Sequence, residues 1–217
     1  MILATDLAKG YGRRSLWSGL DVTVASGGTL ALTGASGSGK STLLNCLGLL
    51  DAPDSGSIEV DGEELTRLRA GGRRRFRRHR LGYLFQSYAL VDTASVEQNL
   101  AIALGEQRGR AGRFEAALDR VGLGGRGRER VSRLSGGEQQ RVALARLLVK
   151  SPTVVLADEP TGALDAENAA VVLDVLTELA GHGASVVIAT HDESIASWCD
   201  GRLHLGGGRL RSGRDVG

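Results

Sequence analysis

Three short apolar runs have the length and composition of buried strands: 29–33 (TLALT), 153–157 (TVVLA) and 184–190 (ASVVIAT). None alternates with polar residues, which is the pattern of parallel strands covered on both faces. Between the last two runs, residues 167–180 are apolar at helical spacing. The order of strand, helix and strand predicts an α/β fold around a parallel sheet.

The rest of the chain follows other patterns. Residues 56–62 (GSIEVDG) alternate like a strand between turn glycines. From about 88 to 149 the pattern is mostly helical, with glycine- and arginine-rich breaks at 105–112 and 122–130. This predicts a helical lobe inserted in the α/β core. The tail 201–213 (GRLHLGGGRLRSG) has the pattern of a small hairpin.

Composition adds few constraints. The chain has 217 residues, 41% of them apolar and 24% charged, and a net charge of +2, so bulk charge does not indicate nucleic acid. Cys46 and Cys199 have neither metal-site nor disulfide spacing, and we expect reduced cytosolic thiols.

No apolar run approaches the roughly 18–20 residues that span a bilayer, and the early acid in the first residues argues against a signal peptide. We therefore expect a protein that works inside the cell and reaches a membrane only through a partner or a surface contact.

The segment after the first apolar run matches the P-loop pattern GxxxxGK[ST] at every fixed position, between a strand and a helical stretch at 42–50. Its glycines let backbone N–H groups surround a β-phosphate, the lysine brings a positive charge to the phosphates, and the last serine can ligate Mg²⁺. A dinucleotide site has a different glycine order. The sequence predicts a nucleoside triphosphate site formed by Gly34, Ala35, Ser36, Gly37, Ser38, Gly39, Lys40 and Ser41.

A second candidate group follows the run at 153–157. Asp158 and Glu159 come where that strand should emerge from the sheet. An acidic pair at a strand end is often only a solvated turn, but a triphosphate site needs a carboxylate for its metal. We predict that Asp158 holds Mg²⁺ in its outer shell and that Glu159 is the general base for the attacking water.

The stretch 133–141 (RLSGGEQQR) places two glycines just before a strong helix-forming sequence. Ser135 and Glu138 fit a capping box, which accounts for the serine and the glutamate but not for Gly136 and Gly137. Bare backbone at a helix N-terminus suits an approaching anion. This predicts a second phosphate-binding element.

Together, GASGSGKS, LSGGEQQR and VVLADEPTGALD resemble the ATP-binding subunit of an ABC transporter, in order and spacing and over nearly the full length. The resemblance implies a P-loop NTPase (RecA-like) core with an antiparallel β subdomain and an inserted α-helical subdomain. It also implies one domain over 1–217, with the core at about 1–86 and 150–217 and the helical subdomain at about 87–149. The expected activity is ATP hydrolysis in a dimer, where Ser135, Gly136, Gly137 and Glu138 close over the ATP of the partner chain.

The resemblance assigns further residues. Tyr11 corresponds to the aromatic that stacks on adenine, Gln86 to the Q-loop glutamine that senses Mg²⁺ and water, Asp165 to the D-loop and His191 to the switch histidine at the γ-phosphate. The implied catalytic residues are Glu159, His191, Gln86 and Lys40, and Thr42 joins the nucleotide contacts. The implied metal ligands are Ser41, Gln86 and Asp158, with ATP and Mg²⁺ as cofactors.

Finer features resemble one branch of that family. GSGKSTLLNCLGLLDAPDSG and PTGALD are similar to the macrolide-exporter and lipoprotein-release branch, and 81–100 resembles the corresponding region of bacteriocin-export ATPases. The segment before LSGGE lacks the Tyr-Pro or His-Pro of many relatives. The implied partners are a second ATP-binding subunit and an integral membrane permease at the cytoplasmic face of the membrane. The permease would choose the substrate, expected to be a peptide, an antibiotic or a lipid-linked molecule.

Alternative functions are weighed against these motifs. Some relatives transmit force across the membrane without transport, and others act on DNA or ribosomes. DNA-repair members carry a long coiled coil and translation-factor members two ATPase halves, and this chain shows neither, so we expect no nucleic acid. The basic run 73–80 (RRRFRRHR) is interpreted as a solvated helix face, with anionic lipid and nucleic acid as alternatives.

Overall fold

The computed structural model describes residues 1–104, 110–162 and 165–206. Within them, none of the helices is both long enough and apolar enough to cross a bilayer. A 3₁₀ turn covers Val131–Arg133, and the other elements in chain order are β1 (Ile2–Tyr11), β2 (Arg14–Val24), β3 (Thr29–Thr33), α1 (Lys40–Leu47), β4 (Ser55–Val60), β5 (Glu63–Glu64), α2 (Ala70–His79), β6 (Leu81–Leu84), α3 (Val96–Leu104), α4 (Arg110–Arg120), α5 (Gly136–Lys150), β7 (Val154–Asp158), α6 (Ala166–Gly181), β8 (Ser185–Ala189), α7 (Glu193–Trp198) and β9 (Gly201–His204).

A parallel sheet in the order β6-β7-β8-β3-β9 forms the centre of the fold. Every residue of β3 and β8 is buried, as are the first four of β7, which confirms the three strands predicted from apolar runs. Their carboxyl ends meet at one edge, where open α/β sheets place their ligands.

A second, antiparallel sheet has the order β2-β1-β4-β5. Leu7 and Leu20 of this sheet are fully buried and share a core with Leu32 of β3 and Leu43 of α1. The apolar pattern of the sequence does not reveal β1 and β2, because register shifts interrupt the alternation of β1 beyond Ala4. The packing brings Tyr11, at the end of β1, to the turn after α1, where its hydroxyl donates to Asp51.

Helices α3, α4 and α5 form the helical part, and the prediction for 88–149 is confirmed in outline. Leu100, Leu118 and Leu144 are fully buried in the cluster that also contains Val186 of β8, so this part shares a core with the parallel sheet. The non-helical stretch at 122–130 is confirmed. The subdomain boundaries at 87 and 149 remain a prediction.

The predicted break at 105–112 is wrong for its last residues. Helix α4 begins at Arg110 and includes Gly112, while 105–109 lie outside the described residues. A single glycine costs a helix only about 1 kcal/mol relative to alanine, which packing offsets. Here the guanidinium of Arg113 donates to the Val149 carbonyl of α5 at 2.7 Å and secures the first turns of α4.

The structure describes only the first half of the hairpin predicted at 201–213. That half is strand β9, which pairs in parallel with β3 at the edge of the sheet, and 207–213 lie outside the described residues, so the return strand stays a prediction. Leu203 and Leu205 are buried, so the segment completes the hydrophobic core at the edge of the parallel sheet.

Two helix predictions are refined. The helix predicted at 42–50 begins at Lys40 and ends at Leu47, where Gly48 caps it and Leu49 turns to φ 55°. The basic run lies in α2 and continues to Arg80, with Phe76 buried at 3% exposure and Arg74, Arg75 and Arg78 exposed. Whether this exposed face meets only solvent stays a prediction.

Candidate functional site

The P-loop links β3 to α1 and curls around the first turn of that helix. Gly39 has φ 98°, and a Cβ there would lie 2.8 Å from the indole nitrogen of Trp17, so the loop accepts only glycine at this position. Lys40 Nζ donates to the Gly34 carbonyl at 2.8 Å, which holds the cation within the curve of the loop. Arg14 of β2 anchors the loop from outside by donating to the Gly37 carbonyl at 2.9 Å. The loop thus presents backbone N–H groups and one positive charge to an anion.

The P-loop lines one wall of a cavity of about 710 Å³, large enough for a nucleotide. The cavity gathers most of the residues that the sequence assigned to the nucleotide. They are Tyr11, Gly34, Ala35, Ser36, Gly37, Gly39, Lys40, Ser41, Thr42, Gln86, Asp158, Glu159 and His191. Ser38 belongs to the same loop but does not line the cavity.

Adjacent strand ends supply the reactive groups. Asp158 ends β7, Glu159 follows it with φ 47°, and His191 follows β8. His191 Nδ1 lies 2.8 Å from Glu159 Oε2, and since an ionised carboxylate can only accept, the imidazole is the donor. The Glu159 side chain is 18% exposed and that of His191 73%, so the carboxylate lies deeper in the cavity. The contact fixes the Glu159 carboxylate in the cavity that the P-loop also lines.

The oxygen donors of this cavity suit a magnesium ion. Ser41 offers a hydroxyl, Gln86 an amide carbonyl and Asp158 a carboxylate, and all three line the same cavity. Mg²⁺ prefers hard oxygen ligands and is usually held by few protein groups together with substrate phosphates. The donor set therefore fits the metal that the family resemblance implies.

The glycine pair lies elsewhere on the chain surface. Ser135 caps α5, and both arms of the predicted capping box are present: Glu138 N donates to Ser135 Oγ at 3.3 Å and Ser135 N donates to Glu138 Oε2 at 2.8 Å. None of Ser135, Gly136, Gly137 and Glu138 lines the cavity. Among the residues that the structure describes, the first turn of α5 therefore lies apart from the cavity that the P-loop lines.

Glu138 is held from a second side by Arg126, with which it forms an ion pair. The bond from this guanidinium, together with the backbone N–H of Ser135, lowers the pKa of the Glu138 carboxyl to about 2. The ion pair keeps Glu138 directed at its own helix end.

We expect the contribution of Glu138 to the free energy of unfolding to decrease at acidic pH. Because its folded-state pKa lies below the ordinary 4.5, the carboxylate contributes stability above pH 4.5 and loses it as the pH falls toward about 2. In urea unfolding, the free-energy difference between the parent and Glu138→Gln should narrow from pH 6 to pH 3, because most of the loss falls below pH 4.5. A difference that stays constant over this range would mean that the ion pair contributes nothing to folding.

Asp165 also lies outside the cavity, at the start of α6. Its carboxylate accepts from the Asn168 backbone N–H at 2.8 Å, and this bond and that from the Asn168 side chain lower the pKa of Asp165. Asn168 Oδ1 in turn accepts from Arg141 of α5 at 2.6 Å. The Asn168 side chain therefore joins Asp165 to the helix that carries the glycine pair.

Several contributors to the site have no signal in the sequence. Leu16 and Gly162 line the cavity, and Arg14 holds the P-loop. Asn168 lies within an ordinary helical stretch. Their roles depend on contacts between segments that are far apart in the chain, and no local sequence pattern predicts such contacts.

Comparison with known proteins agrees with this geometry. The model of the family described as ABC transporter matches residues 17–162. The lipoprotein-releasing system ATP-binding protein LolD 1 of Caulobacter vibrioides is 44% identical over 206 residues, covering 92% of this chain and 88% of that protein. The macrolide export ATP-binding/permease protein MacB 1 of Aeromonas hydrophila is 44% identical over 211 residues, covering 94% of this chain and 32% of that protein. The chain thus spans about a third of the length of such macrolide-export relatives.

A solved structure has the same fold. The dimeric post-hydrolysis state of the ATP-binding cassette MJ0796, bound to ADP and phosphate, superposes with a TM-score of 0.88 at 29% identity and covers 100% of both chains. The predicted core with its antiparallel sheet and helical part is therefore confirmed as an ABC cassette fold.

Proposed function

Since this chain belongs to the ABC transporter family and is an ABC-type ATPase that binds ATP, we propose that two copies enclose two Mg-ATP and drive a membrane permease. What supports a dimer is the position of the α5 N-terminus. The cavity holds Lys40, Glu159 and His191, whereas Ser135 and Gly136 lie outside it. In a two-fold dimer each such terminus can close the cavity of the other chain.

The residues of the cavity divide the work on ATP. The P-loop N–H groups and Lys40 hold the phosphates, and Tyr11 stacks on the base. Ser41, Gln86 and Asp158 would hold Mg²⁺, which when bound neutralises charge on the phosphate oxygens. Each group acts from a fixed position, as phosphoryl transfer requires.

Glu159 accepts a proton from the attacking water while the water oxygen bonds to the γ-phosphorus. The bond from that phosphorus to the bridging oxygen breaks, and ADP carries away the electron pair. His191, oriented through Nδ1 by Glu159, uses its other ring nitrogen to contact the γ-phosphate. The partner chain's Ser135–Glu138 turn adds backbone donors over the same phosphate, so that hydrolysis loosens the dimer.

A groove of about 340 Å³ is the proposed docking site for the permease. It lies between the loop that follows Gln86 and helix α5. Arg146 of α5 joins these two walls by donating to the Tyr88 carbonyl at 2.9 Å and the Ala89 carbonyl at 2.7 Å. A segment seated there would contact both the loop that follows Gln86 and the C-terminal half of α5.

The side chains that line the groove indicate the kind of segment that would bind there. Leu50 and Ile102 are 47% and 60% exposed, and Arg78 and Lys150 supply positive charge. We propose a cytoplasmic segment of the permease with an apolar anchor and an acidic residue. The ATPase would then lie at the cytoplasmic face of the membrane, held there by the permease, which exports a peptide, an antibiotic or a lipid-linked molecule. No nucleic acid is expected to take part.

Ile102→Glu tests this docking site. We expect this variant to lose co-purification with the permease of its own host from detergent-solubilised membranes, because a carboxylate would replace the apolar anchor site. Leu3→Glu is the matched control, since Leu3 is also an exposed apolar residue, at 36%, but lies on β1. ATP hydrolysis without membranes should stay within about twofold of the parent for both variants. Equal permease capture by both, or capture of ribosomes or DNA by the parent, would contradict the proposal.

A further inference from the structure

The Tyr11 side chain is held in place by a hydrogen bond that the ATPase mechanism above does not use. Tyr11 ends β1 and is 55% exposed. Its hydroxyl donates to Asp51 Oδ2 at 2.7 Å. An aromatic side chain this exposed would otherwise have rotamer freedom to lose on meeting a base. The bond therefore sets the ring orientation before a ligand arrives.

Asp51, in the turn after α1, is itself well fixed. Its Oδ1 accepts from the Ala52 backbone N–H at 2.7 Å and from Lys9 Nζ at 3.1 Å. The bond from Tyr11, followed by those from Ala52 and Lys9, lowers the pKa of Asp51 despite some burial. The carboxylate thus stays ionised and remains a strong acceptor for the Tyr11 hydroxyl.

Lys9 connects this carboxylate to the ring. It is a buried lysine, 8% exposed, whose Nζ also donates to the Ala52 carbonyl at 2.6 Å. Burial alone would lower the pKa of Lys9, but the hydrogen bond that Lys9 donates to Asp51, together with the charges of Asp51 and Asp54, outweighs burial and raises the pKa. Nζ lies over the Tyr11 ring at 5.1 Å from its centroid, in the range of a cation–π contact. Lys9 covers one face of the ring, so a flat ligand would stack on the other.

We propose that Asp51 and Lys9 form a positioning pair that holds Tyr11 for the nucleotide base and so sets the affinity for the adenosine part of ATP. The inference rests on the proposed role of Tyr11 as the base contact. Neither residue touches the reacting atoms, and both act through Tyr11. The competing account is structural: Lys9 and its acids would only fasten the turn at 51–54 to β1.

A substitution at Asp54 distinguishes the positioning role from the purely structural role. It lies 3.7 Å from Lys9 Nζ and accepts from the Gly10 backbone N–H at 2.8 Å, so it fastens the same turn, but it has no hydrogen bond to Tyr11. If Asp51 acts through Tyr11, Asp54→Ala should leave ATP affinity unchanged. If the turn alone matters, Asp54→Ala and Asp51→Ala should have equal effects.

The test measures the KM for ATP and the inhibition constant of tripolyphosphate, which has no base, for Asp51→Ala, Tyr11→Phe, the double variant, Asp54→Ala and Tyr11→Ala. We expect Asp51→Ala and Tyr11→Phe each to raise the KM about 5-fold, as the loss of one hydrogen bond does. The double variant should be no worse than either single variant, because both changes remove the same bond. Tripolyphosphate inhibition should not change, because the phosphate contacts are intact.

Three results would overturn the inference while leaving the base contact standing. They are a KM for Asp51→Ala equal to that of the parent, an equal rise for Asp54→Ala, or tripolyphosphate inhibition weakened in parallel with ATP. All three are read against Tyr11→Ala, which should raise the KM for ATP in every case. An unchanged KM for Tyr11→Ala would instead remove Tyr11 from the base site, and the proposed function would lose that contact.

Discussion

Glu159→Gln should lower ATP turnover by at least about 100-fold, the contribution typical of a positioned general base. The amide has nearly the same shape as the carboxylate but cannot accept the proton of the attacking water. The backbone at φ 47° and the contact with His191 Nδ1 can remain, because the amide oxygen also accepts. The measurement is phosphate release under saturating Mg-ATP.

Asp158→Asn and a nucleotide-binding assay serve as controls for this variant. Glu159→Gln should bind ATP as tightly as the parent, whereas Asp158→Asn should weaken binding in the presence of Mg²⁺, since Asp158 is assigned to the metal. If Glu159→Gln hydrolyses ATP at the parent rate, the base is another group. If it loses ATP binding as well, the residue acts on the metal instead.

Gly136→Asp is the second change with a large expected effect, and stability and activity should move in opposite directions. Among the described residues, the nearest atom to a Cβ at this position is the Tyr88 hydroxyl, at 3.9 Å, so the side chain fits without strain. An acid in the first turn of α5 favours the helix dipole and should stabilise the chain slightly. In a closed dimer the same carboxylate would face the partner's γ-phosphate, and turnover should fall by about 100-fold or more.

Gly136→Asn isolates the charge, because it has the same shape without the carboxylate. We expect it to retain more activity than Gly136→Asp, with both variants at least as resistant to urea as Gly136→Ala. Full turnover in Gly136→Asp would show that this helix end does not approach a phosphate. Loss of folding would show that the space around Gly136 is smaller than described.

The residues expected to carry the chemistry could be predicted from the sequence, whereas most of the residues that hold them in position could not. Lys40, Asp158 and His191 follow buried apolar strands, and the carboxyl ends of parallel strands must meet at one edge, so their proximity follows from order alone. The Ser135–Glu138 capping box is local, and the structure confirms both arms.

The residues that hold the site in position could not be predicted, because their contacts join segments far apart in the chain. Tyr11 meets Asp51 across 40 residues, and Arg141 meets Asn168 across 27. Register shifts interrupt the alternation of strand β1, and β9 pairs with β3, which lies about 170 residues earlier in the chain. Such contacts depend on tertiary packing, which propensity and periodicity do not encode.

Native mass spectrometry of Glu159→Gln with Mg-ATP tests most directly whether each ATP site is completed by a second chain. We predict a species of two 22.7 kDa chains with two ATP, and its loss when Gly136→Asp is added, leaving single chains that still bind ATP. A two-chain species that persists unchanged with Gly136→Asp would contradict the account. So would a Glu159→Gln chain that binds ATP and stays monomeric.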